Sequence, residues 1–182
     1  VSEIPSRGGP YNRISESYYI RARDLLSYDT KKGFFTWAIV SKNSNRSIGE
    51  RAGNIRGNRD RIGLSLNGIQ KHIQAHKLAF FFIYGRVPGI IDHINGNSLD
   101  NRIENLRECT HAENLRNRGK TSINTTGYKG VYNRNGRFRS IIGINGKSIK
   151  LGTFDTAIEA AKKYDLEAIK LHGEFANTNF RR

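Results

Sequence analysis

The chain has 182 residues, of which 36% are hydrophobic, 31 are Lys or Arg and 16 are Asp or Glu, giving a net charge of +15. That length holds one medium or two small domains with modest cores, and the lone cysteine, Cys109, excludes an intrachain disulfide framework and fits a reducing cytoplasm. The cation excess predicts a polyanionic partner bound in a strongly salt-dependent way, and the polar residues 1–17 lack an apolar core of signal-peptide length, so neither export nor membrane insertion is expected.

Residues 1–17 read as a flexible arm. Phe34 to Val40, Arg61 to Leu66 and Ile69 to Ala75 read as strands, the last two joined by an Asn67-Gly68 turn, and His76 to Tyr84 as a short buried helix ended by Gly85. Trp37 with Phe34 and Phe35, and the run Phe80 to Phe82, are assigned to the core rather than to base stacking, because aromatics at this spacing bury large apolar areas.

Ile90 to Ile94 is a short β-favouring run, Asn95-Gly96 is a turn signal, a short helical turn follows, and Leu106 to Thr110 is a second strand candidate. Thr110 is placed to cap a helix, with Glu113 as its reciprocal partner and Asn114 on the first turn. Within this stretch Asp92 offers a hard carboxylate oxygen and Asn114 an amide oxygen, a donor set suited to Mg²⁺ or Mn²⁺. His93, with an ordinary imidazole pKa of about 6.5, is the candidate general base. Asn105 follows Asp92 by thirteen residues and Asn114 follows Asn105 by nine. Those residues and that spacing suit a one-metal phosphodiesterase site.

On these residues the segment resembles the His-Asn-His (HNH) nuclease family, in the variant whose last His is replaced by Asn. The resemblance implies a ββα-metal unit holding one divalent ion, with Asp92 and Asn114 as ligands, His93 as base and Asn105 bracing the loop that orients His93. An Asn in the third position favours magnesium or manganese over zinc. The tract from Tyr28 onward resembles the sheet-plus-helix lead-in of phage HNH endonucleases. Lys42, Arg46, Arg51, Arg56, Arg59, Arg61 and Lys71 make it a candidate second DNA-contacting surface. His76 stands before the site and either approaches the phosphate or packs. His111 is a candidate minor contributor, while His72 and His172 are assigned to a strand and a helix end.

Gly119 to Thr126, small and polar, is the natural linker. From Arg116 to Lys150 there are nine Lys or Arg residues and no Asp or Glu. Tyr128 to Tyr132, Phe138 to Ile144 and Ile149 to Phe154 read as three strands separated by Asn135-Gly136 and Asn145-Gly146, the strongest short-range hairpin signal. Ala157, Ala160, Ala161, Tyr164, Ala168 and Leu171 recur at helical spacing, and His172-Gly173 closes the pattern. A sheet backed by one helix leaves its other face free for a DNA groove. The segment resembles the plant APETALA-two or ethylene-response-factor domain in Tyr128, Gly130 and Val131, in Leu151 to Phe154, in Ala160, Ala161, Tyr164 and Asp165, and in Asn179 and Phe180. It departs from that family at Tyr132, where Arg is common, at Lys150, where Trp is common, and by one residue missing before Gly136. DNA contacts through Lys129, Arg134, Arg137, Arg139, Lys147 and Lys150 are implied in kind, without the plant base preference.

The expected architecture is α+β: a flexible arm at 1–17, an HNH nuclease domain at 18–118 made of a ββα-metal module preceded by a small antiparallel sheet, a linker at 119–126, and at 127–182 a three-stranded antiparallel sheet packed on one helix. The two resemblances together imply a phage homing endonuclease. It would hydrolyse double-stranded DNA at a preferred site with Mg²⁺ or Mn²⁺, in the cytoplasm of an infected bacterial cell. With one metal site per chain, a monomer would nick a single strand. A DNA-binding regulator with an inactive nuclease half, and a nonspecific defence or toxin nuclease, are the alternatives.

Overall fold

A computed structural model describes residues 14–117, 124–144 and 146–180. Most of the expected arm, residues 119–123 of the expected linker, and Asn145 of the second C-terminal hairpin turn lie outside the described residues. The chain divides into two compact units, Val1–Glu108 and Cys109–Arg182.

The first unit opens with helix α1 (Glu16–Leu25), which sequence periodicity does not announce: its Ser15 N-cap makes no side-chain capping bond to the helix backbone and its centre carries Tyr18, Tyr19 and Ile20. Packing holds it instead, through buried Tyr18, Tyr19 and Ala22 and through the Tyr18 hydroxyl, which donates to the Ile69 carbonyl at 2.8 Å. Strands β1 (Leu26–Asp29), β2 (Phe34–Trp37) and β3 (Arg51–Ala52) form one antiparallel sheet. Strand β2 is shorter than the expected Phe34 to Val40, because after Trp37 the chain turns away and Ala38 donates its N–H back to Leu25.

Strands β4 (Asn54–Arg56), β5 (Arg59–Leu66) and β6 (Ile69–Gln74) form a second antiparallel sheet. Strand β5 alternates, with Asp60, Ile62 and Leu64 buried, and its hairpin turns on Asn67 (φ 51°) and Gly68 (φ 75°), the paired left-handed geometry that Asn-Gly tolerates. Helix α2 (Ala75–Tyr84) buries Ala75, Leu78, Ala79, Phe80 and Phe81. Gly85 ends it in the left-handed region at φ 70°, donating to the Phe81 carbonyl, while Arg23 of α1 donates to the Phe81 and Phe82 carbonyls. Strands β7 (Ile90–His93) and β8 (Leu106–Cys109) pair as a two-stranded sheet. Ile91 and Leu106 join Phe35, Trp37, Ile62, Ile73 and Leu78 in one core with Phe80 and Phe81, against which Phe82 packs, whereas Phe34, also expected inside, is only half-buried and lies under Lys32 and Arg51.

The second unit begins with α3 (His111–Arg116), opened by the expected reciprocal capping pair Thr110 and Glu113. Strands β9 (Val131–Arg134), β10 (Arg137–Ile144) and β11 (Lys147–Phe154) form an antiparallel sheet in the order β11-β10-β9, with a register shift between Ser140 and Ile141. Helix α4 (Ala157–His172), capped by Thr156 and Glu159 and followed by Gly173, packs on that sheet. Of the expected strand at Tyr128 to Tyr132, Val131 and Tyr132 open β9, while Tyr128, Lys129 and Gly130 form the bend and turn that enter it. Gly130 sits at φ 72°, and a Cβ there would overlap the Tyr164 ring and crowd the Ile141 carbonyl. Among the described residues, no helix is long and apolar enough to cross a membrane.

Candidate active site and nucleic-acid interface

Three consecutive residues of β7, Ile91, Asp92 and His93, are buried. Ile91 anchors the strand in the core. The Asp92 carboxylate receives the Arg107 guanidinium of the neighbouring strand, with Nε at 3.0 Å and Nη2 at 2.8 Å from Oδ2. Both side chains are largely shielded, at 6% and 13% exposure, so the pair offsets the desolvation that would otherwise oppose an ionised carboxylate there.

His93 Nε2 lies 3.1 Å from Asn101 Oδ1. An amide oxygen only accepts, so this contact is a hydrogen bond in the tautomer whose Nε2 carries the proton, the form that leaves Nδ1 as the basic atom. Asn101 is 1% exposed, and its carbonyl accepts the Tyr28 hydroxyl at 2.6 Å. Burial first, then the nearby Asp29 and Asp100 charges, keep the Tyr28 phenol protonated well above its usual range. The β1–β2 turn also supports this segment: a Cβ on Gly33, at φ 72°, would overlap the Asn101–Arg102 backbone. His76 of α2 stands edge-on to His93, ring centres 5.1 Å apart. Burial first, then the His93 and Lys77 charges, push the His76 pKa down to about 3. His76 is therefore neutral under ordinary conditions.

The loop between β7 and β8 is held by its own side chains. Asn95 Oδ1 accepts from the Asn97 N–H and Asn97 Oδ1 from the Leu99 N–H, local turns that short amides favour. Asn95 Nδ2 donates to Asp100 at 2.7 Å. Asp100 is gripped by Arg102, whose hydrogen bond is the main cause that lowers its pKa to about 2. Asn105, in a 3-10 turn spanning Ile103–Asn105, accepts the Asn95 N–H at 2.9 Å and donates to the Asp100 carbonyl at 2.8 Å. Its carbonyl accepts the Ile94 N–H at 2.9 Å.

Asp92, His93 and Asn105 thus sit together in the first unit, whereas Asn114 lies on the first turn of α3 in the second. Among the described residues, no group of three or more His, Cys, Asp or Glu side chains is gathered as a metal cage. Asn101 is not singled out by sequence, and Arg107, which belongs to the Asn105-Leu106-Arg107 part of the motif, is given no role by it. Asn101 directly precedes Arg102 in a stretch that reads as turn, and nothing in its local pattern links it to His93.

On the C-terminal sheet, cross-strand register puts Tyr132 opposite Arg139, Arg134 opposite Arg137 and Lys150 opposite Ile141, on the face turned away from α4. Arg134 and Lys150 are exposed, as is Lys147 near the hairpin end. Arg137 forms a surface ion pair with Asp155 at 3.0 Å. Arg139 is half-buried, and its Nε has no hydrogen-bond partner among the described residues. Lys129 departs from the expected DNA contact: it is half-buried and its Nζ donates to the Arg116 carbonyl at 2.8 Å. Burial lowers its pKa to about 8, against a smaller raising effect of Asp165. The motif residues Asp165 and Asn179 are structural, since Asp165 accepts the Asn179 and Phe180 N–H groups at 2.8 and 2.9 Å. The exposed face of β4–β6 carries Arg56, Arg59, Arg61 and His72, which line a cavity of about 390 Å³ with Asn54.

A family model described as HNH endonuclease matches residues 74–116, from the start of α2 to the end of α3. An uncharacterized HNH endonuclease of Acanthamoeba polyphaga mimivirus is 33% identical over 110 residues, covering 59% of this chain and 57% of that protein. The AP2-like ethylene-responsive transcription factor ANT of Arabidopsis thaliana is 34% identical over 119 residues, 61% of this chain and 21% of that protein. The APETALA2-like protein 2 of Oryza sativa subsp. indica is 51% identical over 55 residues, 29% of this chain and 13% of that protein. The chain therefore spans little more than half the length of the viral relative and about a fifth or less of these plant relatives. Residues 74–116 match an HNH endonuclease model, in one chain with a segment similar to AP2-like factors.

Proposed function

We propose that the chain is a divalent-metal-dependent endonuclease of the homing type, hydrolysing a phosphodiester of double-stranded DNA at a preferred site and nicking one strand as a monomer, in a phage-infected bacterial cytoplasm. One observation carries the reading: the adjacent, buried Asp92 and His93 are each fixed by a neighbouring side chain, inside the segment that matches the HNH endonuclease model.

Asp92 and Asn114 supply the oxygens that would hold a single Mg²⁺ or Mn²⁺. Such an ion, when bound, neutralises charge that develops on the phosphate oxygens. His93 takes the proton of the attacking water at Nδ1, with Asn101 holding Nε2–H so that the ring cannot rotate away. Asn105 keeps the loop closed around that contact. Arg107 keeps the Asp92 side chain in one orientation, and ligation through Oδ2 requires the guanidinium to share that oxygen. Arg134, Arg137, Arg139 and Lys150 provide the DNA face of the C-terminal sheet, Lys147 pairs with Ile144 of the opposite face and reaches DNA from the hairpin end, and the basic β4–β6 face extends the footprint.

A supercoiled plasmid carrying a cognate site, incubated with dilute protein and Mg²⁺, is expected to become open circle first. Prompt linear product contradicts nicking by a monomer. The hold of Arg107 on Asp92 favours a second reading, a DNA-binding regulator with an inactive nuclease half. Full DNA affinity without cleavage in either Mg²⁺ or Mn²⁺ selects it.

A further inference from the structure

Helix α3 has six residues, too few to persist without help, yet it carries Asn114. Its N-terminus is closed by its own capping pair. Its C-terminus is closed from the AP2-like segment: Lys129 Nζ donates to the Arg116 carbonyl at 2.8 Å, and Asn177 Nδ2 donates to the Asn117 carbonyl at 2.6 Å. A cation and an amide there satisfy carbonyls that a helix end leaves bare and complement its negative pole.

Lys129 is itself fixed. Asn179 accepts the Lys129 N–H at 2.6 Å and donates to its carbonyl at 3.1 Å, and Asp165 on α4 accepts from Asn179 Nδ2 at 3.0 Å. A continuous run of hydrogen bonds therefore links the helix that backs the C-terminal sheet to the end of α3. The half-buried ammonium, with its pKa depressed to about 8 by burial, behaves as an interior group and not as a solvated phosphate contact.

We infer that Lys129 and Asn177 are positioning residues for cleavage: they fasten the Asn114-bearing helix to the AP2-like segment, so that docking of the sheet on DNA and the placement of Asn114 are mechanically one event. This rests on the nuclease reading above, with Asn114 as a metal ligand.

The test uses the whole 182-residue chain as wild type, Lys129→Met, Lys129→Arg and Asn177→Ala, with three measurements on each: duplex affinity, the Mg²⁺ concentration for half-maximal nicking, and amide hydrogen exchange across α3. In Lys129→Met and Asn177→Ala the α3 amides should exchange about tenfold faster. The Mg²⁺ requirement should rise about tenfold, while DNA affinity stays within about threefold. Lys129→Arg, which keeps a cation, should recover much of both. If Lys129→Met fails to fold, Asn177→Ala carries the test with Lys129 in place. Faster α3 exchange at an unchanged Mg²⁺ requirement overturns the inference, as does a loss of DNA affinity with α3 exchange unchanged, which would make Lys129 a DNA contact. A wild-type protein that never nicks defeats the nuclease reading itself, and the exchange data then still report whether the clasp holds α3.

Discussion

At the residue scale the site depends on the orientation of one imidazole. His93 is buried and bonded through Nε2 to Asn101, so substitutions at the two positions should separate chemistry from support. His93→Ala is expected to lower cleavage about 10²–10⁴-fold with DNA affinity within a few fold; wild-type turnover in that variant would remove His93 as base. Asn101→Leu removes the acceptor for Nε2–H and should lower kcat by about 10–100-fold, with Asn101→Asp recovering part of it. Equal rates in the two Asn101 variants would count against the tautomer assignment.

His76 gives a pH prediction. Its folded pKa is depressed to about 3, while the unfolded chain titrates near the ordinary value of 6.5. Between those values the unfolded state binds a proton that the folded state does not, so stability present above pH 6.5 is lost as pH falls, at up to about 1.4 kcal/mol per pH unit. Urea unfolding of wild type and His76→Gln at roughly neutral pH and at about two to three pH units below it should show a shallower acid loss in the variant. Parallel curves would refute the assignment to His76.

Elements follow the sequence wherever local chemistry decides them. The Asn67-Gly68 and Asn135-Gly136 hairpins form with both residues in the left-handed region, and Thr110 with Glu113 and Thr156 with Glu159 start α3 and α4 as their spacing predicts. Helix α1 escapes the same reading because its aromatic content favours strand and its stability comes from burying Tyr18 and Tyr19 against distant elements. The pairing of β7 with β8 carries a buried ion pair across it. Arg107→Leu leaves Asp92 shielded without its cation and should cost about 3–5 kcal/mol in chemical denaturation. A decrease below about 1 kcal/mol would mean that the bond contributes no more than a surface pair.

For the whole molecule, +15 of net charge should dominate affinity. Removing one phosphate-binding cation from the interface should flatten the slope of log affinity against log salt by about one unit, so the double substitution Arg137→Ala, Arg139→Ala should reduce it by about two. An unmoved slope would remove both from the interface.

Sequence alone determined the candidate catalytic residue types, the hairpins, the helix caps and the cation excess, because spacing, turn conformation, reciprocal capping and charge act over a few residues or by simple count. Tertiary structure decided which groups support them: Asn101 behind His93, Arg107 on Asp92, and Lys129 drawn from the expected DNA face to the end of α3. Those partners lie on different strands, loops and helices, and only burial, which leaves a polar group no water to turn to, forces each of them to find the other.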